Sequence, residues 1–265
     1  MSRFKLTEKE EAARDRLCLP LDVKSYAKAV GLVDELYEVV GMFKVRPALY
    51  LKKEGHNIIQ YVHDRGSRVF LDFKHHDIPN SVKDDAESAT ELGVYMFNVH
   101  ASGTSAMMRN AVKLAGEVAK DLGSTRPKVV AVTVLTSINQ KTLNEELLVP
   151  GTVADYVRHL GKLAESSGLD GIVCSAQEVA EVKKNFRNDF MYVTPGIQGI
   201  GMTVGADQQR VATPGNAIRD GSSILVAGRT ITTVKDKSHG EDRGATPDEM
   251  RDNAYNILKD MAEAL

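Results

Sequence analysis

Short apolar runs alternate along the chain with longer amphipathic stretches, and most of the apolar runs are bounded by Gly, Asp or Asn. Apolar runs of about four to eight residues are typical of buried strands, whereas the longer stretches repeat their apolar positions at helical spacing. This alternation predicts a parallel sheet covered by helices. The pattern places eight strands at residues 17–22, 42–45, 69–73, 95–99, 128–135, 171–174, 191–194 and 224–227.

Helical periodicity fills most of the gaps between these runs, and no Pro-rich or Ser-rich linker interrupts the series. Eight consecutive β/α units favour the α/β class, as a single-domain (β/α)8 TIM barrel over residues 16–265. An open doubly wound sheet is the alternative, because a strand count does not distinguish a closed sheet from an open one. The predicted helices span residues 25–40, 81–92, 105–122, 153–166, 176–185 and 247–264.

Two segments do not follow the alternating pattern. Residues 1–15 are charged and form an N-terminal extension, which we expect either to pack outside the barrel as an amphipathic segment or to be partly disordered. Residues 235–246 are polar and contain Gly, which predicts an exposed connection before the last helix rather than a lid.

Composition and charge limit the kinds of partner that the chain can bind. Of its 265 residues 42% are hydrophobic, which is typical of a globular protein with a sizeable core, and 34 basic residues oppose 36 acidic ones. A net charge of −2 provides no global field for nucleic acid or a membrane surface, so we expect neither as a partner. The stretch MSRFKLTEKEEAARDR lacks the apolar run of a signal peptide, and we expect a cytoplasmic protein whose Cys18 and Cys174 are core residues.

A group of charges follows the strand ends that share one rim of the predicted barrel. The segment FLDFKHHDIPNSV contains Asp72, Lys74 and Asp77. At the two-residue period of a strand, Asp72 and Lys74 point to the same side, and their opposite charges keep both groups ionised. Lys44 and Asp22 at neighbouring strand ends complete an array of two positive and two negative groups.

This array suits a reaction that expels a carboxylate without a cofactor. A fixed aspartate beside a substrate carboxylate disfavours the ground state, while an ammonium stabilises the developing carbanion and then protonates it. Lys74 is the candidate proton donor. The alternative is that Asp72 and Lys74 form a rim salt bridge worth only ~0.2–1 kcal/mol, but four charges at successive strand ends favour the chemical role. His75 and His76 are neighbours that face opposite ways, so we expect no metal site.

The last two strands are followed by residues that suit an anion. A glycine-rich stretch, with Gln208 near its end, follows the seventh strand, and Gly228 and Arg229 lie at the tip of the eighth. Phosphate sites of (β/α)8 barrels are frequently built from these two loops. The alternative is that the glycines only form turns and that Arg229 is only a surface cation. Because the glycine-rich stretch and the Gly228–Arg229 pair follow adjacent strands, a phosphorylated ligand is favoured.

Several motifs in order resemble the orotidine 5′-phosphate decarboxylase family. They are LDFKHHDIPNSV, VTVLTS, VTPGI, DQQRVATPGNAI and LVAGRTIT, within residues 16–233. The resemblance implies a homodimer of (β/α)8 barrels in which each active site is completed by the partner. It also implies cofactor-independent decarboxylation of orotidine 5′-monophosphate to uridine 5′-monophosphate in pyrimidine biosynthesis.

The resemblance also assigns roles to residues of the charged array and its surroundings. Lys74 resembles the family's donor of a proton to the carbanion at pyrimidine C6, with Asp72 beside it and Lys44 linking the array to the ribose. Asp22 would bind a ribose hydroxyl, and Thr136 would contact the pyrimidine ring.

Three residues are implied to act across the subunit interface. Asp77, Ile78 and Ser81 would reach the active site of the neighbouring subunit. Ser81 stands where the family usually has Thr, and it retains the hydroxyl group.

The phosphate ligands show a more consequential departure. Gln208, Gly228 and Arg229 match the family pattern, but Gln198 stands where Arg is common, in a loop that is one residue longer. The amide of Gln198 carries no charge to pair with a phosphate dianion. The resemblance therefore implies weaker binding of phosphate, with a larger share of that binding contributed by Arg229 and the loop backbone.

Two other functions compete with this interpretation. Related sugar-phosphate decarboxylases and aldolases share the Asp-x-Lys-x-x-Asp signature but use Mg²⁺, which needs an acidic residue at the second strand end, where this chain has Lys44. A non-catalytic nucleotide-binding barrel would have no reason to retain the full array, because clustered charges are costly to desolvate.

Overall fold

The eight predicted strands form a closed parallel barrel, because the first strand pairs with both the second and the eighth. The structure is a computed structural model and describes residues 4–198, 212–235 and 242–265. The single-domain (β/α)8 barrel is confirmed, and the open-sheet alternative is wrong. The strands are β1 (Leu17–Pro20), β2 (Met42–Val45), β3 (Arg68–His75), β4 (Met96–His100), β5 (Lys128–Val132), β6 (Gly171–Val173), β7 (Met191–Pro195) and β8 (Ile224–Val226).

Helices cover the outside of the barrel. The six predicted helices are confirmed, some with shorter bounds, and the shorter helices were missed because they span too few residues to establish a period. The α-helices are α1 (Glu8–Arg14), α2 (Tyr26–Leu36), α3 (Pro47–Tyr50), α4 (Ile58–Asp64), α5 (Pro79–Glu91), α6 (Thr104–Asp121), α7 (Gln140–Glu145), α8 (Val153–Ser166), α9 (Ala176–Val182), α10 (Pro214–Asp220), α11 (Arg229–Thr232) and α12 (Pro247–Glu263). No helix in the described part of the chain is long and apolar enough to cross a membrane.

Alternate residues along the strands form two apolar layers. One layer lies between the strands and the helices, and the other fills the interior of the barrel. Because side chains alternate between the two faces, the polar residues two positions beyond an interior residue also point inward. The interior layer consists of Cys18, Met42, Phe70, Met96, Val130, Val193, Ile224 and Val226.

The N-terminal segment packs against the outside of the barrel. Thr7 and Glu10 form a capping box at the start of α1. The Tyr255 hydroxyl on α12 donates to Glu10 Oε1 at 3.0 Å, and the Phe4 ring lies 5.1 Å from the Tyr255 ring. These contacts join the first helix to the last one.

A two-stranded antiparallel sheet precedes the last helix. Its strands are β9 (Thr233–Lys235) and β10 (Asp242–Gly244). Arg243 of β10 forms an ion pair with Glu249 on α12 at 2.6 Å. Lys235 and the residues of β10 are exposed, as predicted, but they form a small sheet that the sequence pattern did not reveal.

Candidate active site

A cavity of about 370 Å³ opens at the carboxyl ends of the strands. Its polar wall comes from β2, β3 and β4, and its apolar wall comes from β5 to β8. This division suits a ligand that has one charged side and one apolar side. The polar wall includes Lys44, Asp72, Lys74 and Asn98, and the apolar wall includes Val132, Val173, Val193, Pro195 and Val226.

Asp72 lies between two lysine ammonium groups. Lys74 Nζ is 2.5 Å from Asp72 Oδ1, and Lys44 Nζ is 2.7 Å from Asp72 Oδ2. Burial opposes ionisation of the Asp72 carboxyl, but the two ammonium charges and their hydrogen bonds outweigh it and lower its pKa. The cavity therefore presents a fixed carboxylate with an ammonium on each side.

Lys74 reaches this position through an irregular backbone. The pairing of β3 with β4 shifts register between Leu71 and His75, and Lys74 has a φ of 54°. The prediction that Asp72 and Lys74 share a side is confirmed. A bulge, however, and not a regular two-residue period, brings the Lys74 ammonium to the carboxylate.

Asn98 belongs to the same network and was missed by the sequence analysis. Its side-chain Nδ2 donates to Asp72 Oδ1 at 2.7 Å, and its Oδ1 accepts the backbone N–H of Lys74 at 2.8 Å. Asn98 is two residues beyond Met96, which faces the barrel interior. A polar residue in register with interior positions of an apolar strand was the signal that could have revealed it.

Asp22 lies outside this network, which corrects the predicted array of four charges. β1 ends at Pro20, so Asp22 lies beyond the strand. There its Oδ1 is 3.3 Å from Nη1 of Arg46, with both side chains about half exposed. Arg46 also lines the cavity and was not predicted as a site residue. The charged cluster consists of Lys44, Asp72 and Lys74, of which Lys44 and Asp72 are buried and Lys74 is partly exposed.

The two adjacent histidines face different surroundings, as predicted. His75 Nδ1 is 2.8 Å from Asp85 Oδ2, and burial lowers the pKa of His75. His76 instead lies beside His100, with 5.3 Å between ring centroids. Within residues 4–198, 212–235 and 242–265, no three His, Cys, Asp or Glu residues form a group that could hold a metal ion.

The predicted phosphate residues lie at the start of α11. Gly228 and Arg229 line a second cavity of about 630 Å³, which Asp22 also lines. A Cβ atom at Gly228 would lie 2.9 Å from Pro20 Cγ, so the close packing of these loops favours glycine. The tips of β1 and β8 are thus brought together beside the second cavity.

The segment after β7 lies against the same helix. The Thr230 hydroxyl donates to the Ile197 carbonyl at 2.6 Å, which places Gln198 near the start of α11. The Gln198 backbone N–H donates to the Ala212 carbonyl at 3.0 Å. Gln208 falls outside the described residues.

The remaining predicted residues divide between the cavity and the surface. Thr136 lines the first cavity. Asp77, Ile78 and Ser81 are not among the described residues that line it. Asp77 is exposed and its Oδ1 accepts the Ile78 backbone N–H at 2.6 Å, while the Ile78 side chain is 65% exposed.

Comparison with known proteins connects this geometry to one family. Residues 15–240 match the model of the orotidine 5′-phosphate decarboxylase / HUMPS family. Orotidine 5′-phosphate decarboxylase of Moorella thermoacetica is 41% identical over 224 residues, which cover 84% of this chain and 88% of the relative. The enzyme of that name from Heliobacterium modesticaldum is 37% identical and covers 96% of this chain and 98% of its own length.

A solved structure agrees with these sequence relatives. The crystal structure of orotidine 5′-phosphate decarboxylase from Lactobacillus acidophilus superposes with a TM-score of 0.75 at 31% identity, covering 92% of this chain and 98% of that one. The family-model match, residues 15–240, includes all eight strands and the charged cluster of Lys44, Asp72 and Lys74. The chain therefore belongs to the orotidine 5′-phosphate decarboxylase / HUMPS family.

Proposed function

We propose that this protein decarboxylates orotidine 5′-monophosphate to uridine 5′-monophosphate, without a cofactor, in pyrimidine biosynthesis. The observation that supports this most directly is the Asp72 carboxylate held between the ammonium groups of Lys44 and Lys74. The names of the relatives support the same reaction.

Binding of the nucleotide would use both cavities at the barrel rim. The pyrimidine ring fits between the charged wall and the apolar wall of the first cavity, with Thr136 beside it. The phosphate would bind at Gly228 and Arg229, with Gln198 and Gln208, which follow β7 in the sequence, as further ligands. The ribose would lie between the pyrimidine ring and the phosphate, in contact with Asp22 and Lys44.

The chemistry would depend on charges that are already in place before the substrate binds. With the substrate carboxylate beside Asp72, two negative groups repel each other, and loss of CO2 relieves the repulsion. The C6–carboxylate bond breaks and leaves its electron pair on C6, where the Lys74 ammonium stabilises it. Lys74 then transfers a proton to C6, and solvent reprotonates the amine.

The metal-dependent sugar-phosphate reaction of related barrels is less compatible with this cluster. A Mg²⁺ ion needs several oxygen ligands at the strand ends. Here both oxygens of Asp72 are bound by ammonium groups, and the side chain of Lys44 is 10% exposed beside them. A divalent cation at this position would be repelled by two positive charges.

We also propose a homodimer with shared active sites. Asp77 and Ile78 are exposed at the start of α5, and neither lines the cavity of its own subunit. An exposed isoleucine beside an acidic residue suits a surface that a second copy covers. In the dimer Asp77, Ile78 and Ser81 would complete the partner's active site.

A cytoplasmic location is a further part of the proposal. Cys18 and Cys174 are both buried thiols that are not joined in a disulfide, which is typical of proteins in reducing compartments.

A turnover assay with product identification tests this function. Purified protein is incubated with orotidine 5′-monophosphate, and uridine 5′-monophosphate and CO2 are quantified with and without excess chelator. We expect equal amounts of both products and no effect of the chelator. Binding of uridine 5′-monophosphate without turnover, or chelator-sensitive turnover of a sugar phosphate instead, would contradict the proposal.

A further inference from the structure

Asn98 joins the two parts of the charged cluster that β3 supplies. It is 1% exposed, and its side chain makes one hydrogen bond to the Asp72 carboxylate and another to the Lys74 backbone. A carboxylate oxygen only accepts and a backbone N–H only donates, so these contacts fix which end of the amide is oxygen. If the amide were rotated by 180°, its NH2 group would face the Lys74 N–H and its oxygen would face the Asp72 carboxylate, and neither pair could form a hydrogen bond.

The backbone contact supports the irregular part of β3. Leu71 pairs with Phe97 and His75 pairs with Val99, so residues 72–74 all lie opposite Asn98 alone. In this bulge Lys74 adopts a left-handed φ of 54°, and its N–H donates to the Asn98 side chain. The amide oxygen therefore accepts the partly buried Lys74 N–H in the conformation that directs the Lys74 side chain into the cavity.

The side-chain contact holds the carboxylate itself. Asp72 Oδ1 accepts from both Asn98 Nδ2 and Lys74 Nζ, while Oδ2 accepts from Lys44. The amide is the neutral member of these three donors. It fixes the carboxylate without adding charge to the field that the substrate meets.

We propose that Asn98 is a positioning residue for the decarboxylation, because one amide fixes both the Asp72 carboxylate and the Lys74 backbone. The inference rests on the proposed function. Small displacements of a reacting group can reduce turnover strongly, so loss of either contact should lower kcat more than it affects substrate binding.

Titratable groups surround Asn98 on its own strand and on the neighbouring strands. Lys44 extends from β2, Asp72 and Lys74 from β3, and His100 follows on β4 itself, where burial lowers the pKa of its imidazole. On the β5 side, Asn98 pairs in register with Val130, which does not titrate. A carboxylate introduced at position 98 would therefore face Asp72 as its nearest negative group.

Asn98→Asp separates the two contacts. One oxygen of the new carboxyl still accepts the Lys74 N–H, but the other can donate to Asp72 only when it is protonated. At neutral pH we expect kcat to fall by about 100-fold, with KM for orotidine 5′-monophosphate within about twofold of the native value. The ratio of variant to native kcat should rise as the pH falls from about 8 to about 5.

Asn98→Leu removes both contacts, and its side chain has a similar volume. The ratio of its kcat to the native kcat should stay low and constant over the same pH range. Urea unfolding and binding of uridine 5′-monophosphate establish that each variant is folded. Asn185→Leu serves as a control, because Asn185 is exposed and donates to the Val182 carbonyl outside the cavity.

The outcomes distinguish this inference from the proposed function. Native-like kcat in both variants, a change confined to KM, or a pH-independent ratio for Asn98→Asp would overturn the positioning role while the native protein still turns over its substrate. Failure of the native protein to convert orotidine 5′-monophosphate would overturn both.

Discussion

Lys44 and Asp72 form an ion pair of 2.7 Å in which the two side chains are only 10% and 7% exposed. Two neighbouring strands of the barrel supply them, so the pair joins β2 to β3 at the floor of the cavity. Removal of water from such a pair is costly, and the cost is offset only if both partners are present. Lys74 supplies a second positive charge to the same carboxylate.

This burial predicts a pH-dependent contribution of Asp72 to stability. Asp72→Ala leaves two ammonium groups without their carboxylate, and we expect a loss of about 3–5 kcal/mol in the free energy of unfolding at neutral pH. Because the native pKa is lowered below the usual 3.8, the stabilisation is fully present above that pH and is lost as the pH falls through the native pKa.

Urea unfolding of the native protein and of Asp72→Ala over a pH series measures this contribution. The difference between them should be constant above about pH 5 and should shrink in stronger acid. Asp189→Ala, which removes a carboxylate paired with Arg187 and 81% exposed, should have little effect at any pH. A difference that is absent at neutral pH, or that persists unchanged in acid, would show that Asp72 is not held as a buried anion.

Gln198→Arg should strengthen the binding of phosphate. Gln198 follows Ile197, whose carbonyl is bound by Thr230 of α11, so a guanidinium at this position would lie close to Gly228 and Arg229. A charge-assisted hydrogen bond to a phosphate dianion should lower KM by roughly tenfold. Gln60→Arg, on the exposed face of α4, adds the same charge elsewhere and serves as the control. An unchanged or higher KM for Gln198→Arg would refute the prediction.

A shared active site predicts complementation between inactive variants. Lys74→Ala and Asp77→Ala would each inactivate a homodimer, but a mixed dimer would contain one site with both native residues. Random exchange should restore about one quarter of native activity, since half of the dimers are mixed and each has one intact site of two. The measurement is turnover after the two variants are unfolded together and refolded, compared with each variant refolded alone. No recovery, despite dimers of the expected mass, would place Asp77 outside the partner's site.

The barrel could be predicted from the sequence because each strand is an apolar run and eight such runs occur without a linker. The ends of β1 and β5 were predicted too long for a physical reason. Leu21 and Val134 are buried although they lie beyond the ends of these strands, and burial is what an apolar pattern reports.

The charged cluster could be predicted only in part. Asp72, Lys74 and Lys44 follow strand patterns, but the sequence does not reveal the bulge that turns Lys74 into the cavity. Asp22 was grouped with them because strand ends share a rim, whereas its position beyond Pro20 leads it to Arg46. Asn98 was missed because a single polar residue in an apolar strand forms no motif, and its role depends on partners that β3 brings to it.

The proposed reaction depends on the Lys74 ammonium, which lies beside Asp72 and would stabilise and then protonate the carbanion. The most direct test measures turnover of orotidine 5′-monophosphate by Lys74→Ala, from the loss of its ultraviolet absorbance. Lys128→Ala is the matched control, because this lysine also pairs with an aspartate, Asp170 at 3.4 Å, but at the opposite end of the barrel. We predict that kcat falls by roughly 10⁴-fold or more in Lys74→Ala and changes little in Lys128→Ala, since both charge stabilisation and proton transfer are lost only in the former. Turnover by Lys74→Ala within about tenfold of the native rate would contradict the account.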